Sequence, residues 1–299
     1  MLSLAPPPQS GGGGPTGEAG WWRGREAAGF RMSQELAKSF GRRAFGDDPA
    51  TYNAIRPDYP DWVYDTLRER CGLGPGCAAF EVGAGTGIAT RRLLAAGADP
   101  VVAVEPDARL AAFLRNSTPS PALSVVNAPF ESAELPRADF DLGLAATSFH
   151  WLDELVALNR ATALLRPGGW WAMVWNVYGD DDRADPFHDA TNALLNDGPK
   201  SPSGGGRSGV PFALQVNARK SAFGRCGAFT EISHEARAWE LALDAEQTVA
   251  LYSTYSDITA RPPDERREVL AELRRIAVHE FDGSVVRNMI TILYTARRA

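Results

Sequence analysis

The stretch Ala79-Phe80-Glu81-Val82-Gly83-Ala84-Gly85-Thr86-Gly87-Ile88-Ala89-Thr90 narrows the folds open to this chain more than any other. Ala79 to Val82 is a short apolar run carrying one acid and ended by glycine, which predicts a buried strand entering a tight turn. Glycines at 83, 85 and 87 let the backbone turn sharply and approach a ligand closely. Thr86 is expected to cap a helix carrying Ala89 to Ala96, whose N-terminal N–H groups would face an anion. Strand, glycine turn and helix in that order predict a nucleotide-type site at the carboxyl end of the first strand of an open α/β sheet.

Spacing narrows the ligand. A dinucleotide fingerprint needs glycine at position 88, where this chain has Ile88. The pattern present is E-x-G-x-G-x-G, and a second predicted strand, Pro100 to Val104, ends on Glu105, 22 residues beyond Gly83. Together these residues resemble motif I and the following acidic position of the class I S-adenosylmethionine-dependent methyltransferases. The resemblance implies a Rossmann-like, seven-stranded, mostly parallel sheet flanked by helices, with S-adenosyl-L-methionine as cofactor. It also implies roles. Gly83, Ala84, Gly85 and Gly87 would cradle the cofactor, Glu81 would reach its amino end, and Glu105 with Pro106 would meet the ribose hydroxyls.

Composition limits the alternatives. The chain has 299 residues, 44% of them hydrophobic, enough for a substantial core. No segment approaches the ~18 uninterrupted apolar residues of a membrane span. A net charge of −6 argues against a broadly basic surface, so no nucleic-acid partner is expected. Cys71, Cys77 and Cys226 are too few and too irregular for a disulfide framework or zinc site, and the four histidines form no metal pattern. A reducing, cytoplasmic setting is the default expectation. Residues 1–31, with Pro6-Pro7-Pro8 and Gly11 to Gly14, read as a disordered low-complexity extension, and 32–299 as the folded domain.

Within that domain, the core is expected over about 76–177, a small cap insertion after strand five over about 178–228, and completion of the sheet over about 229–299. Pro57 and Pro60 are expected to hold the lead-in Tyr52 to Pro60 extended. A helix from Asp61 to Cys71 follows, with Asp61 as its cap. The Tyr…Arg-Pro-x-Tyr-Pro pattern resembles the N-terminal segment of enzymes like trans-aconitate methyltransferase, where such a segment lies over the cofactor; this places Tyr52 and Arg56 in a substrate pocket. Asn127 and the backbone of Phe130 fall where methyltransferases read adenine, with Pro129 at the position where an acid is usual. Phe140 to Ala146 reads as strand four, ending in Phe149-His150-Trp151. The turn Leu165-Arg166-Pro167-Gly168-Gly169 leads into the aromatic strand Trp170 to Asn176, and both features strengthen the resemblance. His150 is the residue whose ordinary pKa suits proton transfer at a ligand-facing strand end, as a base or as a donor to substrate. Trp151 and Trp175 would wall the reaction chamber. Asp180 to Asp182 reads as a solvated loop, Asp244 as a helix cap, and Asn288 to Tyr294 as a final strand.

The expected activity is methyl transfer to a small molecule, at a carboxylate or another oxygen. Two other classes stay open: a catalytically idle cofactor-binding protein, and a nucleotide-dependent oxidoreductase, which Ile88 and Glu81 disfavour. The sequence names neither the acceptor nor the oligomeric state.

Overall fold

A computed structural model describes residues 35–179, 183–204 and 209–299. The extension 1–31, Asp180 to Asp182 and part of the Ser/Gly tract therefore lie outside the described residues. Seven strands form one sheet in the order β3-β2-β1-β4-β5-β7-β6. They are β1 (Ala79–Val82), β2 (Val101–Val104), β3 (Leu123–Val126), β4 (Phe140–Ala146), β5 (Leu165–Tyr178), β6 (Phe229–Asp244) and β7 (Ser284–Arg298). Strands β1 to β5 run parallel; β7 lies antiparallel between β5 and β6. The strand order reverses between β1 and β4, and the crevice at that switch point is where an open α/β sheet receives ligands.

The helices are α1 (Pro49–Ile55), α2 (Asp61–Cys71), α3 (Ile88–Ala95), α4 (Ala108–Ser117), α5 (Glu154–Leu164), α6 (Pro186–Asn196), α7 (Val216–Cys226), α8 (Ala245–Ser253), α9 (Ser256–Thr259) and α10 (Pro263–His279). Alternation along the strands assigns two cores. Trp171, Met173 and Trp175 face one side with Leu158 of α5 and Phe223 of α7, while Ala172 and Val174 face the other with Leu67 of α2 and Leu93 of α3. A period of two is what a pleated strand imposes. Gly143 of β4 lets the layers close: a Cβ there would come within 2.4 Å of the Phe80 ring, which stacks on Trp171 at 5.9 Å.

A third apolar cluster lies apart from these two. Phe187 of α6 packs with Tyr252 of α8 and with Leu273 and Ile276 of α10. The cluster draws on two segments, one after β5 and one between β6 and β7. Asp244 starts α8 with a reciprocal capping box, accepting from Gln247 N while the Gln247 side chain accepts from Asp244 N, a device worth about 1 kcal/mol.

Two local expectations are corrected. Tyr52 to Ile55 are helical rather than extended: Asp48 accepts from Thr51 N, Pro49 occupies the first turn, and α1 ends at Ile55, before Arg56 and Pro57. Proline at the first helical position and helix termination just before an X-Pro pair are both favoured by its fixed φ and bulky ring. Helix α2 begins at Asp61, but Pro60 is its cap residue and no side chain caps it.

Candidate functional site

The carboxyl ends of β1, β2 and β4 meet at the glycine turn. Gly83, Gly85 and Gly87 all have positive φ, at 68°, 58° and 88°. Their surroundings differ. A Cβ on Gly83 would come within 2.6 Å of Ser148 Cβ, and one on Gly87 within 2.3 Å of Leu114 Cδ1. Those two glycines let the turn pack against β4 and α4. A Cβ on Gly85 would meet nothing within 4 Å, so it is the glycine that faces open space. Ala84, beside it, is buried against Leu114 and Ala103. Thr86 does not cap α3. The cap residue is Gly87, without a side-chain cap bond, and Thr86 Oγ1 is buried with no hydrogen-bond partner.

Two acids flank this turn. Glu105 is buried at the end of β2; its Oε2 accepts from Gly85 N at 2.7 Å and its Oε1 from Asp107 N at 2.8 Å. Burial pushes its carboxyl up to about 7 against those two hydrogen bonds. Each carboxylate oxygen has a second lone pair, so the group can still accept from ribose hydroxyls. Glu81, inside β1, accepts from the Thr90 hydroxyl at 2.6 Å, and burial pushes it up to about 8. A cation arriving beside Glu81 would restore its charge. Pro106 lends its carbonyl, with that of Glu105, to the Asn127 amide at 3.1 and 2.8 Å. That amide is thereby fixed and its Oδ1 left as the acceptor. The Phe130 ring is core, stacked on Phe80 at 6.1 Å, so only its backbone could serve a ligand. The orphaned Thr86 hydroxyl, the space over Gly85 and the two buried acids fit S-adenosylmethionine.

The lead-in closes over this turn. Arg91 of α3 donates to Thr86 O at 2.8 Å and to Asn53 Oδ1 of α1 at 2.7 Å. The Tyr59 hydroxyl meets Thr147 Oγ1 at 2.7 Å, and the Asn176 amide donates to Asp58 O at 3.2 Å. Thr147, at the end of β4, has a φ of 50°, a strained value for a β-branched residue and one that concentrates at functional sites.

His150 is not placed as a base. It is 4% exposed, and its Nδ1 accepts from Trp175 Nε1 at 3.1 Å. Burial first, then the charges of Arg56 and Lys38, push its pKa down to about 3. The ring is neutral near pH 7 with its proton on Nε2, which makes it a donor. Trp175 is core beneath it, 2% exposed and against Phe212 at 5.9 Å, and not a chamber wall. Trp151 lies over Gly41 and meets Phe45 edge-on at 6.0 Å, closing the lead-in over the strand end.

Arg56 and Tyr52 are brought together, and three tyrosines not foreseen as a group join them. The Arg56 guanidinium sits 5.0 Å from the Tyr52 ring and 4.7 Å from the Tyr255 ring, and Nη2 donates to Thr254 O at 2.7 Å. Tyr178 stacks obliquely on Tyr255 at 5.3 Å. Burial works against the Arg56 charge, but Tyr52, Tyr178, Tyr255 and Tyr59 outweigh it and raise its pKa. Tyr178 ends β5 and Tyr255 follows α8, so no local pattern links either to Arg56. Among the described residues no group of three or more His, Cys, Asp or Glu could hold a metal, and no helix is long and apolar enough to cross a membrane.

The chain is also similar to known proteins. Residues 80–173 match a family described as a methyltransferase domain. An uncharacterized methyltransferase of Schizosaccharomyces pombe is 25% identical over 86% of this chain and 97% of its own length. One from Mycobacterium tuberculosis is 27% identical over 78% and 85%. Among solved structures, a candidate type II methyltransferase from Anaeromyxobacter dehalogenans superposes with a TM-score of 0.55 at 25% identity, covering 81% of this chain and 97% of that one. A Haemonchus contortus phosphoethanolamine N-methyltransferase, bound to S-adenosylhomocysteine, shares the fold at a TM-score of 0.51 and 11% identity, covering 85% of this chain and 57% of its own.

Proposed function

We propose, on the premise that this chain is a class I S-adenosylmethionine-dependent methyltransferase, that it methylates an oxygen of a small carboxylic acid. When bound, the cofactor supplies an activated methyl group and its own leaving group, so the chain has to hold, orient and exclude water. Gly85 leaves room for it, Glu105 would receive the ribose hydroxyls, Glu81 the amino group, and Asn127 Oδ1 the adenine amine. Gly83, Ala84 and Gly87 shape the turn, and Pro106 and the Phe130 backbone border it.

The observation that carries the acceptor class is the lack of a base among the described residues around His150. His150 is held near a pKa of about 3, and the hydroxyls of Tyr59, Tyr178 and Tyr255 are all raised by burial above their ordinary value. An amine or phenol arriving protonated would find nothing there to take its proton. A carboxylate is already ionised near neutral pH and needs no base. The resemblance of the lead-in to the trans-aconitate methyltransferase branch supports the same class. His150 would act through its Nε2–H as a donor that orients the acceptor.

The test is methyl transfer from labelled S-adenosylmethionine to short carboxylic acids, phenols and amines in parallel. Esters of the acids are expected, with turnover at saturating S-adenosylmethionine nearly flat between about pH 6.5 and 8.5, because the acceptor brings no proton to be removed. Faster methylation of amines or phenols would overturn the assignment.

A further inference from the structure

Arg56 is a half-buried cation with no ion-pair partner among the described residues; Asp257 acts on it only at longer range. Among the described residues no carboxylate lies within the 4.0 Å of an ion pair. Its Nε is out of contact with solvent and has no hydrogen-bond partner. The Tyr178 and Tyr255 hydroxyls, on the two rings that lie against each other beside it, are likewise out of contact with solvent and have no partner but each other. Three under-satisfied polar atoms shielded from water in one cluster are expensive, because each forgoes hydrogen bonds to water. Tyr178 approaches a second cation, Arg287, whose guanidinium carbon is 5.5 Å from its ring centre, but Arg287 is occupied by Asp185 at 2.9 Å. The open donors therefore gather around one unpaired charge.

We propose that Arg56, Tyr178 and Tyr255 form a preorganised receptor for a single carboxylate, with the guanidinium supplying the charge and the two phenols the flanking hydrogen bonds. A planar carboxylate matches the guanidinium edge and accepts at both oxygens. A doubly charged phosphate would leave uncompensated charge among aromatic walls, which a site this dry disfavours. The carboxylate has two chemical sources: the acceptor, or the methionyl end of the cofactor. The acceptor assignment rests on the reading of the site given above; carboxylate recognition itself does not.

The experiment is calorimetric titration of the full chain and of Arg56→Gln, Arg56→Lys, Tyr178→Phe and Tyr255→Phe. The probes are S-adenosylhomocysteine, methylthioadenosine (the same nucleoside without the amino-acid end), and short aliphatic and aromatic carboxylic acids each paired with its primary amide. Arg56→Gln is expected to weaken the carboxylate-bearing probe by about tenfold or more, Arg56→Lys by less, and each phenylalanine variant by a few-fold. Loss confined to S-adenosylhomocysteine, with methylthioadenosine unaffected, assigns the cofactor end; loss confined to the acids assigns the acceptor. Amides binding as tightly as acids, or every affinity unchanged in Arg56→Gln, would overturn the receptor. Failure of the wild type to bind S-adenosylhomocysteine at all would instead strike the methyltransferase reading and leave the acid arm to decide the receptor. The phenylalanine variants remove one oxygen each, so the comparison survives if the Arg56 variants fold poorly.

Discussion

Arg287 and Arg56 both sit among tyrosines, and both are near Tyr178. Arg287 is closed by the fold: Nε donates to Asp185 Oδ2 at 2.9 Å, Nη1 donates to the Tyr252 hydroxyl, and both members of the ion pair are almost fully buried. Arg56 is left open, with one backbone carbonyl and aromatic faces for company. A cation completed by its own chain is architecture; one left incomplete is an offer to a ligand. The same contrast runs through the glycine turn, where Gly83 and Gly87 are committed to packing while Gly85 and the Thr86 hydroxyl are not.

Removing the anion from each arginine is the sharpest way to break that comparison. Asp185→Asn leaves Arg287 charged and unpaired in the interior and is expected to cost about 3–5 kcal/mol of stability, read from denaturant midpoints. Arg56→Gln strands no carboxylate and loses one carbonyl bond, so its expected effect is about 1 kcal/mol or less. Equal losses in the two variants would show that Arg56 is as structural as Arg287.

Glu105→Gln comes next. It keeps the shape and removes the charge, and is expected to weaken S-adenosylhomocysteine by about tenfold with little change in the thermal midpoint of the free protein. Unchanged affinity would take Glu105 out of the ribose site.

A pH dependence follows from the two raised acids. Glu81 and Glu105 move from an ordinary 4.5 to about 8 and about 7 in the folded chain, so the folded state holds protons that the unfolded state releases. Their contribution to stability is complete below about pH 4.5 and is lost as pH rises through about 7 to 8. The thermal midpoint of the free protein is therefore expected to fall between about pH 5 and 8. Over the same range S-adenosylhomocysteine binding should tighten with proton release, measurable as buffer-dependent calorimetric heat. A midpoint that rises through this window would contradict the burial assigned to these acids. The smallest effect expected is that of His150→Gln, a few-fold loss of turnover with no change in the shape of the pH profile.

The sheet was legible because its signals are local. Phe140 to Ala146 is strand β4 residue for residue, and the glycine turn announces β1 and α3 within a few positions. Misreadings occurred where two local rules competed. Pro57 and Pro60 suggested extended chain, yet Asp48 and Pro49 start a helix that runs up to Arg56. The residues around Arg56 were only partly readable: Tyr52 and Arg56 share one motif, but Tyr178 arrives from β5 and Tyr255 from the turn between α8 and α9, and only the tertiary fold joins them. His150 was found, but its role depended on a bond from Trp175, 25 residues away, that makes it an acceptor at Nδ1.

The account's central claim, a cofactor site built on Gly85, Glu81 and Glu105, is tested most directly by titrating the purified chain with S-adenosylmethionine, S-adenosylhomocysteine and NADH side by side. Binding of the first two, without NADH, is the predicted result. Binding of NADH alone would contradict it.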